Sequence, residues 1–174
     1  STVSDTLEQD AQGRIMFTDY VQRNAGYTKH GDPELSTAEL MPNQVDRDFS
    51  GASAWADVDL ASGGGAYDET GDLTITAGAV GDYCTCPVLS MPTTAGLKYR
   101  LYFDVANLVE TWTLKNFAGT QTLGTVSADG TGQYVDFVAL ATGGLRIVSV
   151  AATSSADFDN FSLVAYNLQE NLAP

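Results

Sequence analysis

The segment DFDNFSLV, from Asp157 to Val164, stands near the end of the chain. It combines two acidic residues, an amide and alternating apolar residues, and it comes just before a polar tail. Apolar and polar side chains in such a pattern predict a half-buried β-strand. We interpret this segment as the closing strand of the domain, against which the preceding strands pack.

The segment Leu97–Ala106 has the clearest strand pattern in the sequence. Successive side chains of a strand point to opposite faces of a sheet. One face therefore carries Tyr99, Leu101, Phe103 and Val105, and the other carries Lys98, Arg100, Tyr102 and Asp104. The first set predicts a core and the second an exposed surface.

Short segments of this kind recur from Val45 onward, separated by glycine-rich turns such as DGTG at 129–132. Their spacing of roughly 8–15 residues is typical of an all-β sandwich. The sequence therefore predicts a jelly-roll β-sandwich of about eight or nine antiparallel strands.

The first 45 residues have a different character, because they contain helix signals and no alternation. A helix is predicted from Gly13 to Asn24, with a strand over 14–17 as the competing interpretation. A second helix is predicted to begin with Asp32 as its N-cap and Pro33 at its first position, and to run to about Leu40. We therefore expect three parts: a partly helical arm at 1–45, the jelly roll at 46–166 and a tail at 167–174.

The arm carries apolar residues that need a surface to pack against. Three alternatives remain open for that surface: the domain itself, a sister subunit or a larger assembly. The residues expected to bind a partner in this way are Ile15, Met16, Phe17, Tyr20, Leu35, Leu40 and Met41.

Charge excludes some partners. The chain of 174 residues has 22 acidic and 8 basic residues, and its formal net charge is −14. Nucleic-acid binding depends on clustered Lys and Arg, so we expect no nucleic-acid partner. The same charge opposes binding to an anionic membrane surface, and no run approaches the ~20 apolar residues that cross a bilayer.

The sequence offers little for catalysis. It has a single histidine, His30, which lies in the arm, and it has no G-x-S-x-G motif. Glycosidases use two carboxylates held about 5–10 Å apart, but the acidic pairs of this chain have no distinguishing neighbours. We predict a protein without enzymatic activity.

Three segments stand in an order that is seen in a known class of domains. These are Asp48–Ser50 followed by Trp55, then Gly96–Val105, then Asp157–Leu163. In this order, the region from about 45 to 166 resembles jelly-roll carbohydrate-binding modules. Domains of this appearance also occur in bacteriophage structural proteins, as capsid decoration, head-fibre or tail components.

The resemblance implies two functions. The first is a virion structural protein, a decoration or cement protein whose arm attaches it to the major capsid protein or to neighbouring subunits. We would then expect a homo-oligomer, with a trimer as the form that suits three-fold positions, and contact of the exposed jelly roll with cell-surface glycan. The alternative is a free-standing carbohydrate-binding module.

Glycan binding would use exposed aromatic rings as stacking surfaces and polar side chains to contact hydroxyls. The candidates are Arg100, Tyr102 and Asp104, with Trp112, or Tyr67 and Tyr83, adding a stacking surface. The alternative interpretation is that Trp112 belongs to the core and that Tyr102 only covers another element.

The resemblance also implies a structural calcium ion near the closing strand, with Asp159 as the matching acid. The alternative is that Asp159 caps a loop through hydrogen bonds. No other cofactor is expected.

The first residues, STVSD, contain neither a basic n-region nor an apolar h-region. We therefore expect assembly in a host cytoplasm and location in the virion, the alternative being a signal peptide removed upstream of Ser1.

Overall fold

A computed structural model describes residues 33–168, with side chains over 34–167, and the backbone of two short strands before them. The chain divides into two compact units, one formed by residues 1–34 with 167–174 and the other by Leu35–Tyr166. In the first unit, β1 (Glu8–Gln9) pairs antiparallel with β2 (Ile15–Met16). The second unit contains the sandwich.

The remaining elements follow one another through short loops. They are β3 (Pro33–Leu35), α1 (Val45–Asp48), β4 (Ala56–Asp57), β5 (Ala66–Asp68), β6 (Leu73–Thr76), β7 (Tyr83–Cys86), β8 (Lys98–Val109), β9 (Trp112–Asn116), β10 (Thr122–Val126), β11 (Gly130–Val138), β12 (Leu145–Ser149) and β13 (Ser155–Leu168). Among the described residues, no helix is long and apolar enough to cross a lipid bilayer.

The strands form two antiparallel sheets. The order in the five-stranded sheet is β10-β9-β12-β7-β4, and the order in the six-stranded sheet is β11-β8-β13-β6-β5, with β3 also paired to β13. From β6 to β13 the chain passes to the opposite sheet at every step except β9 to β10. Connections that cross repeatedly between two sheets characterise the jelly roll. The prediction of an all-β jelly-roll sandwich is confirmed.

The core lies between the sheets, as the alternation predicted. The inward residues of β8, Tyr99, Leu101, Phe103 and Val105, are all buried. The five-stranded sheet contributes Trp112 and Leu114 from the opposite side, both with no exposed surface. The second set of β8 side chains therefore faces away from the core, and we call that surface of the six-stranded sheet the outer face.

One residue of β13 does not follow the alternation. Phe158, Phe161 and Leu163 are all buried, although Phe158 and Phe161 are three positions apart and would point to opposite faces of a regular strand. The pairing of β13 with β8 moves from Asp159 opposite Asp104 to Ser162 opposite Tyr102, so β13 contains one extra residue there. Asn160 has a positive φ of 53° and forms this bulge.

The bulge directs the side chain of Phe161 into the core, where it lies at the centre of an aromatic cluster. Its ring centroid lies 5.0 Å from Trp55, 6.2 Å from Phe49 and 6.1 Å from Phe103. Trp55 donates its indole N–H to the carbonyl of Asp46 at 2.9 Å. The cluster thereby ties the segment before β4 to the closing strand.

Asp46 fixes the same segment with its buried side chain. Its carboxylate accepts hydrogen bonds from the backbone N–H of Ala54 at 2.6 Å and from the side chain of Asn43 at 3.0 Å. Burial raises the pKa of Asp46, but hydrogen bonds from Ser90, Ala54 and Asn43 outweigh burial and leave that pKa below its ordinary value. Asp46 is therefore ionised, and its carboxylate accepts hydrogen bonds inside the domain.

The helix predicted over 33–40 is wrong. Pro33–Leu35 is a strand, and residues 36–43 have no regular secondary structure. The backbone N–H of Ser36 donates to the carbonyl of Ala165, and that of Leu40 donates to the carbonyl of Leu163. These N–H groups bond to β13 and are not available for a helix.

The arm residues nearest the sandwich lie inside the second unit. Met41 is 1% exposed and belongs to the core, and Leu40 packs against that core. Leu35 is half-buried in the same unit, which begins at Leu35, earlier than the predicted boundary at 45. A partner-binding role for Met41 is therefore wrong, because the domain itself buries it. For the half-buried Leu35 and Leu40 that role stays a prediction.

The other arm predictions concern residues about which less is described. Ile15 and Met16 form β2, which agrees with the competing strand interpretation at 14–17 rather than with the helix. Phe17 and Tyr20, and most of the predicted tail, lie outside the described residues.

The bulge provides a test of the fold. Valine is strongly disfavoured at positive φ and glycine is not. Both Asn160→Val and Asn160→Gly remove the same side-chain hydrogen bonds to Asp104 and Asp159. We expect Asn160→Val to lose about 1–3 kcal/mol more of the free energy of unfolding than Asn160→Gly, measured by urea denaturation. Equal losses in the two variants would contradict the bulge.

Candidate functional site

The outer face brings together side chains from three adjacent strands. In one row across the sheet, Tyr134 of β11 lies opposite Tyr102 of β8, which lies opposite Ser162 of β13. In the next row, Asp136 lies opposite Arg100, which lies opposite Val164. Tyr166 of β13 follows Val164 by two positions and so points to the same face.

Arg100 is the centre of this surface. Its Nε and Nη2 atoms donate to the two carboxylate oxygens of Asp136 at 2.7 and 2.8 Å, a bidentate pair. Nη2 also donates to the hydroxyl of Tyr166 at 2.7 Å, and that hydroxyl donates to Asp136 at 3.0 Å. The guanidinium carbon lies 3.8 Å from the ring centroid of Tyr134. We call these residues, with Tyr102, the Arg100 cluster.

The contacts of the cluster fix its protonation. The hydrogen bond from Arg100 holds the pKa of Asp136 below its ordinary value, and the same bond raises the pKa of Arg100. Burial, followed by the hydrogen bond with Asp136, raises the pKa of Tyr166. At neutral pH the cluster therefore consists of an ionised pair and a protonated phenol.

The cluster leaves aromatic surface open to solvent. Tyr134 is 52% exposed, and its ring meets that of Tyr102 edge-on with centroids 5.9 Å apart. Lys98 places its ammonium 4.4 Å from the ring centroid of Tyr166. Rings held by a guanidinium, with charged and hydroxyl groups beside them, can contact both the apolar and the polar sides of a ligand.

Two of the sequence-predicted residues, Arg100 and Tyr102, belong to this cluster. Asp104 lies on the same face, but its carboxylate accepts hydrogen bonds from the backbone of Gly132 at 2.6 Å and from Asn160 at 2.9 Å. Asp104 therefore holds the irregular start of β11 and the β13 bulge beside the cluster.

The predicted stacking roles of Trp112 and Tyr67 are wrong. Trp112 has no exposed surface, because β9 turns it into the core. Tyr67 lies opposite Ile75, an inward residue, and packs against the core from the edge strand β5. Its hydroxyl contacts Glu69 at 3.2 Å, and burial raises its pKa. Neither ring reaches the outer face.

Three members of the cluster were not identified from the sequence: Tyr134, Asp136 and Tyr166. The alternation in β11 places Tyr134 and Asp136 on one face, and that signal was available. The register that sets them beside Tyr102 and Arg100 depends on the pairing of β11 with β8.

The outer face also carries Asp159, the residue predicted to bind calcium. Burial raises its pKa, the backbone N–H of Asn160 lowers it, and the charges of Asp104, Asp72 and Asp48 raise it further; the net shift is upward. Calcium takes about six to eight oxygen ligands, and no group of three or more metal-ligating side chains is found within the described part of the chain. A structural calcium ion stays a prediction.

Comparison with known proteins finds matches among solved structures. No protein-family model matches the sequence, and no curated protein matches it. A solved structure of the C-terminal CBM6 of LamC from Zobellia galactanivorans is 16% identical, with a TM-score of 0.42, and covers 68% of this chain and 96% of its own.

Two other solved structures come from proteins described as binding xylan. The low-affinity xylan-binding module CBM86 from Roseburia intestinalis is 14% identical, with a TM-score of 0.44, over 68% of this chain and 96% of that module. The CBM22-1 xylan-binding domain of Xyn10C from Paenibacillus barcinonensis is 12% identical, with a TM-score of 0.43, over 70% of this chain and 92% of that domain.

The ion pair of the cluster predicts a dependence of stability on pH. Because the folded-state pKa of Asp136 is lowered, its stabilising contribution is complete above the ordinary value near 4 and is lost as the pH falls through the folded-state value. Asp136→Asn should therefore cost about 1 kcal/mol of unfolding free energy at pH 7. Denaturation of both proteins at pH 7 and pH 3 should show this difference shrinking at pH 3, and a constant difference would contradict it.

Proposed function

We propose that the outer face binds a neutral glycan chain without cleaving it, with the Arg100 cluster as the binding surface. The observation that carries the proposal is the pair of rings, Tyr102 and Tyr134, held beside Arg100 on an exposed part of the sheet. Tyrosine rings stack on the apolar faces of sugars, and their hydroxyls bond to sugar hydroxyls.

The cluster is ordered before any ligand arrives. Arg100 is fixed by Asp136 and Tyr166, so binding would require little further loss of side-chain freedom. A preorganised site of this kind loses less free energy to ordering when it binds.

Charge favours a neutral ligand over an acidic one. The positive charge of Arg100 is balanced by Asp136, and Asp104, Asp157 and Asp159 lie on the same face. With a net charge of −14 on the chain, an anionic polysaccharide would be repelled.

Binding without hydrolysis fits the state of Asp136, the carboxylate inside the Arg100 cluster. The ion pair with Arg100 lowers the pKa of Asp136, which is the opposite of what a general acid needs. Burial raises the pKa of Asp159, but one carboxylate oxygen of Asp159 and one of Asp104 accept hydrogen bonds from the side-chain amide of Asn160.

The virion role stays a prediction. It rests on an arm that binds a capsid, and no observation on the described residues favours that role. Attachment to a major capsid protein, a trimeric state and location in a virion stay predictions in the same way. The partner-binding role of Ile15, Met16, Phe17 and Tyr20 stays a prediction too.

The proposal predicts that binding and stability respond differently to the loss of aromatic rings. Tyr102→Ala and Tyr134→Ala should each weaken retention on the polysaccharide that the protein binds by at least about tenfold, while unfolding free energy changes by about 1 kcal/mol. Trp112→Ala should instead cost about 3–5 kcal/mol, because it leaves a cavity in the core. Affinity electrophoresis in neutral polysaccharides and thermal denaturation measure the two effects.

A matched control lies on the other sheet. Tyr83 of β7 carries a stacked guanidinium, that of Arg146, 4.1 Å from its ring centroid. Tyr83→Ala removes the same kind of pair from the opposite surface of the sandwich and should leave retention unchanged. Equal loss of retention in Tyr83→Ala and Tyr102→Ala would contradict the proposed site, and release of shorter oligosaccharides by the wild-type protein would contradict binding without cleavage.

A further inference from the structure

A cavity of about 400 Å³ opens beside the outer face, between the segment that contains α1 and the bulge of β13. Its lining includes Glu39, Gln44, Arg47 and Ser162. The volume falls within the range of pockets that bind small molecules, about 300–1,000 Å³. None of these residues takes part in the Arg100 cluster.

The cavity lies at the end of a row that crosses the sheet. Tyr134, Tyr102 and Ser162 stand opposite one another on β11, β8 and β13, and Ser162 also lines the cavity. Beyond β13, the backbone of the segment before α1 pairs with the closing strand at Leu40, so this segment borders the row. A ligand lying across the strands from Tyr134 would therefore reach the cavity with its end.

The carboxylates of the cavity are already occupied. One oxygen of Glu39 accepts hydrogen bonds from the backbone of Met41 at 2.8 Å and of Leu163 at 3.0 Å, and the other accepts one from Arg47 at 3.4 Å. The carboxylate of Asp48 accepts hydrogen bonds from Ser50 and Gln44, which lower its pKa and keep it ionised.

Arg47 is the cation in the lining of the cavity. Its Nη1 donates to Glu39 at 3.4 Å, a long hydrogen bond, and 30% of its side-chain surface is exposed. Because a guanidinium has five N–H donors, Arg47 can also donate to a ligand oxygen in the cavity. Because Glu39 and Asp48 already outnumber the positive charge of Arg47, a neutral oxygen acceptor suits the cavity better than an anion.

We propose that this cavity binds the terminal sugar of a neutral glycan, so that the protein recognises the end of a chain and not its interior. The inference rests on the proposed function of the outer face and specifies its ligand. Arg47 donates to an oxygen of the terminal sugar, Ser162 lies at the entrance, and the segment before α1 stops the chain from continuing.

Stoichiometry separates end recognition from interior binding. The probes are cellohexaose, xylohexaose and laminarihexaose, followed by the parent polysaccharide of the best ligand in fractions of increasing chain length. Calorimetry should give the same number of protein molecules bound per glycan chain in every fraction. A number that rises with chain length would overturn the inference and leave the proposed function standing.

Two variants test the cavity itself. Arg47→Met keeps the aliphatic stem and removes the donor, and we expect it to weaken hexasaccharide binding about tenfold. Ser162→Phe places a large ring at the entrance. In this variant we expect the number of protein molecules bound per glycan chain to rise with chain length. The matched control is Lys115→Met, which removes a cation from β9 on the other sheet and should bind like the wild type.

The outcomes distinguish the two proposals. Wild-type affinity in Arg47→Met and Ser162→Phe, with loss of binding in Tyr102→Ala, would overturn the role of the cavity alone. Failure of the wild-type protein to bind any of the three hexasaccharides would contradict both proposals. Weak binding by Arg47→Met with an unchanged melting temperature is the expected result, and equal weakening in Lys115→Met would overturn it.

Discussion

One extra residue in the closing strand determines which side chains the six-stranded sheet buries and which it exposes. Asn160, at positive φ, lets Phe158 and Phe161 both enter the core. After the bulge, alternation resumes with Leu163 inward and with Ser162, Val164 and Tyr166 outward. Without it, either Phe161 would face solvent or the outward row beyond it would be turned into the core, because a shift of one residue reverses every side chain of a strand.

The same bulge joins the fold to the proposed site. Phe161 packs against Trp55 and Phe49 in the core, while the side chain of Asn160 bonds to Asp104 beside the Arg100 cluster. Ser162, two residues after Asn160, lies between Tyr102 and the cavity near Arg47. The aromatic core and the polar outer face are thus two sides of one strand pair, and the position of the surface depends on the packing beneath it.

Some of this could be predicted from sequence because it depends on local pattern. The alternation of β8 assigned Arg100 and Tyr102 to the exposed face and Tyr99 and Phe103 to the core, and the structure agrees. The part that depends on strand register could not be predicted in this way. Tyr134 and Asp136 are distant in sequence from Arg100, and only the pairing of β11 with β8 brings them to it.

The wrong predictions have a common physical origin. In each case tertiary contacts, which the local sequence pattern does not contain, determine the position of the residue. Pro33 after an acidic residue is a reasonable helix start, but the backbone that follows bonds to β13 instead. The sequence offers Trp112 as a stacking surface with a core position as the alternative, and β9 directs it into the core. Met41 looked like a surface anchor and fills the core of its own domain.

The central claim is that the outer face of the six-stranded sheet binds neutral glycan. The most direct test is a titration of the ¹⁵N-labelled full chain with the three neutral hexasaccharides. The chemical shifts of the backbone amides are measured by NMR at each ligand concentration. The account predicts shifts concentrated in β8, β11 and β13 around Arg100, Tyr134 and Tyr166, and at the bulge near Ser162. Shifts centred on Tyr83 and Arg146 of the other sheet, or none with any hexasaccharide, would contradict it.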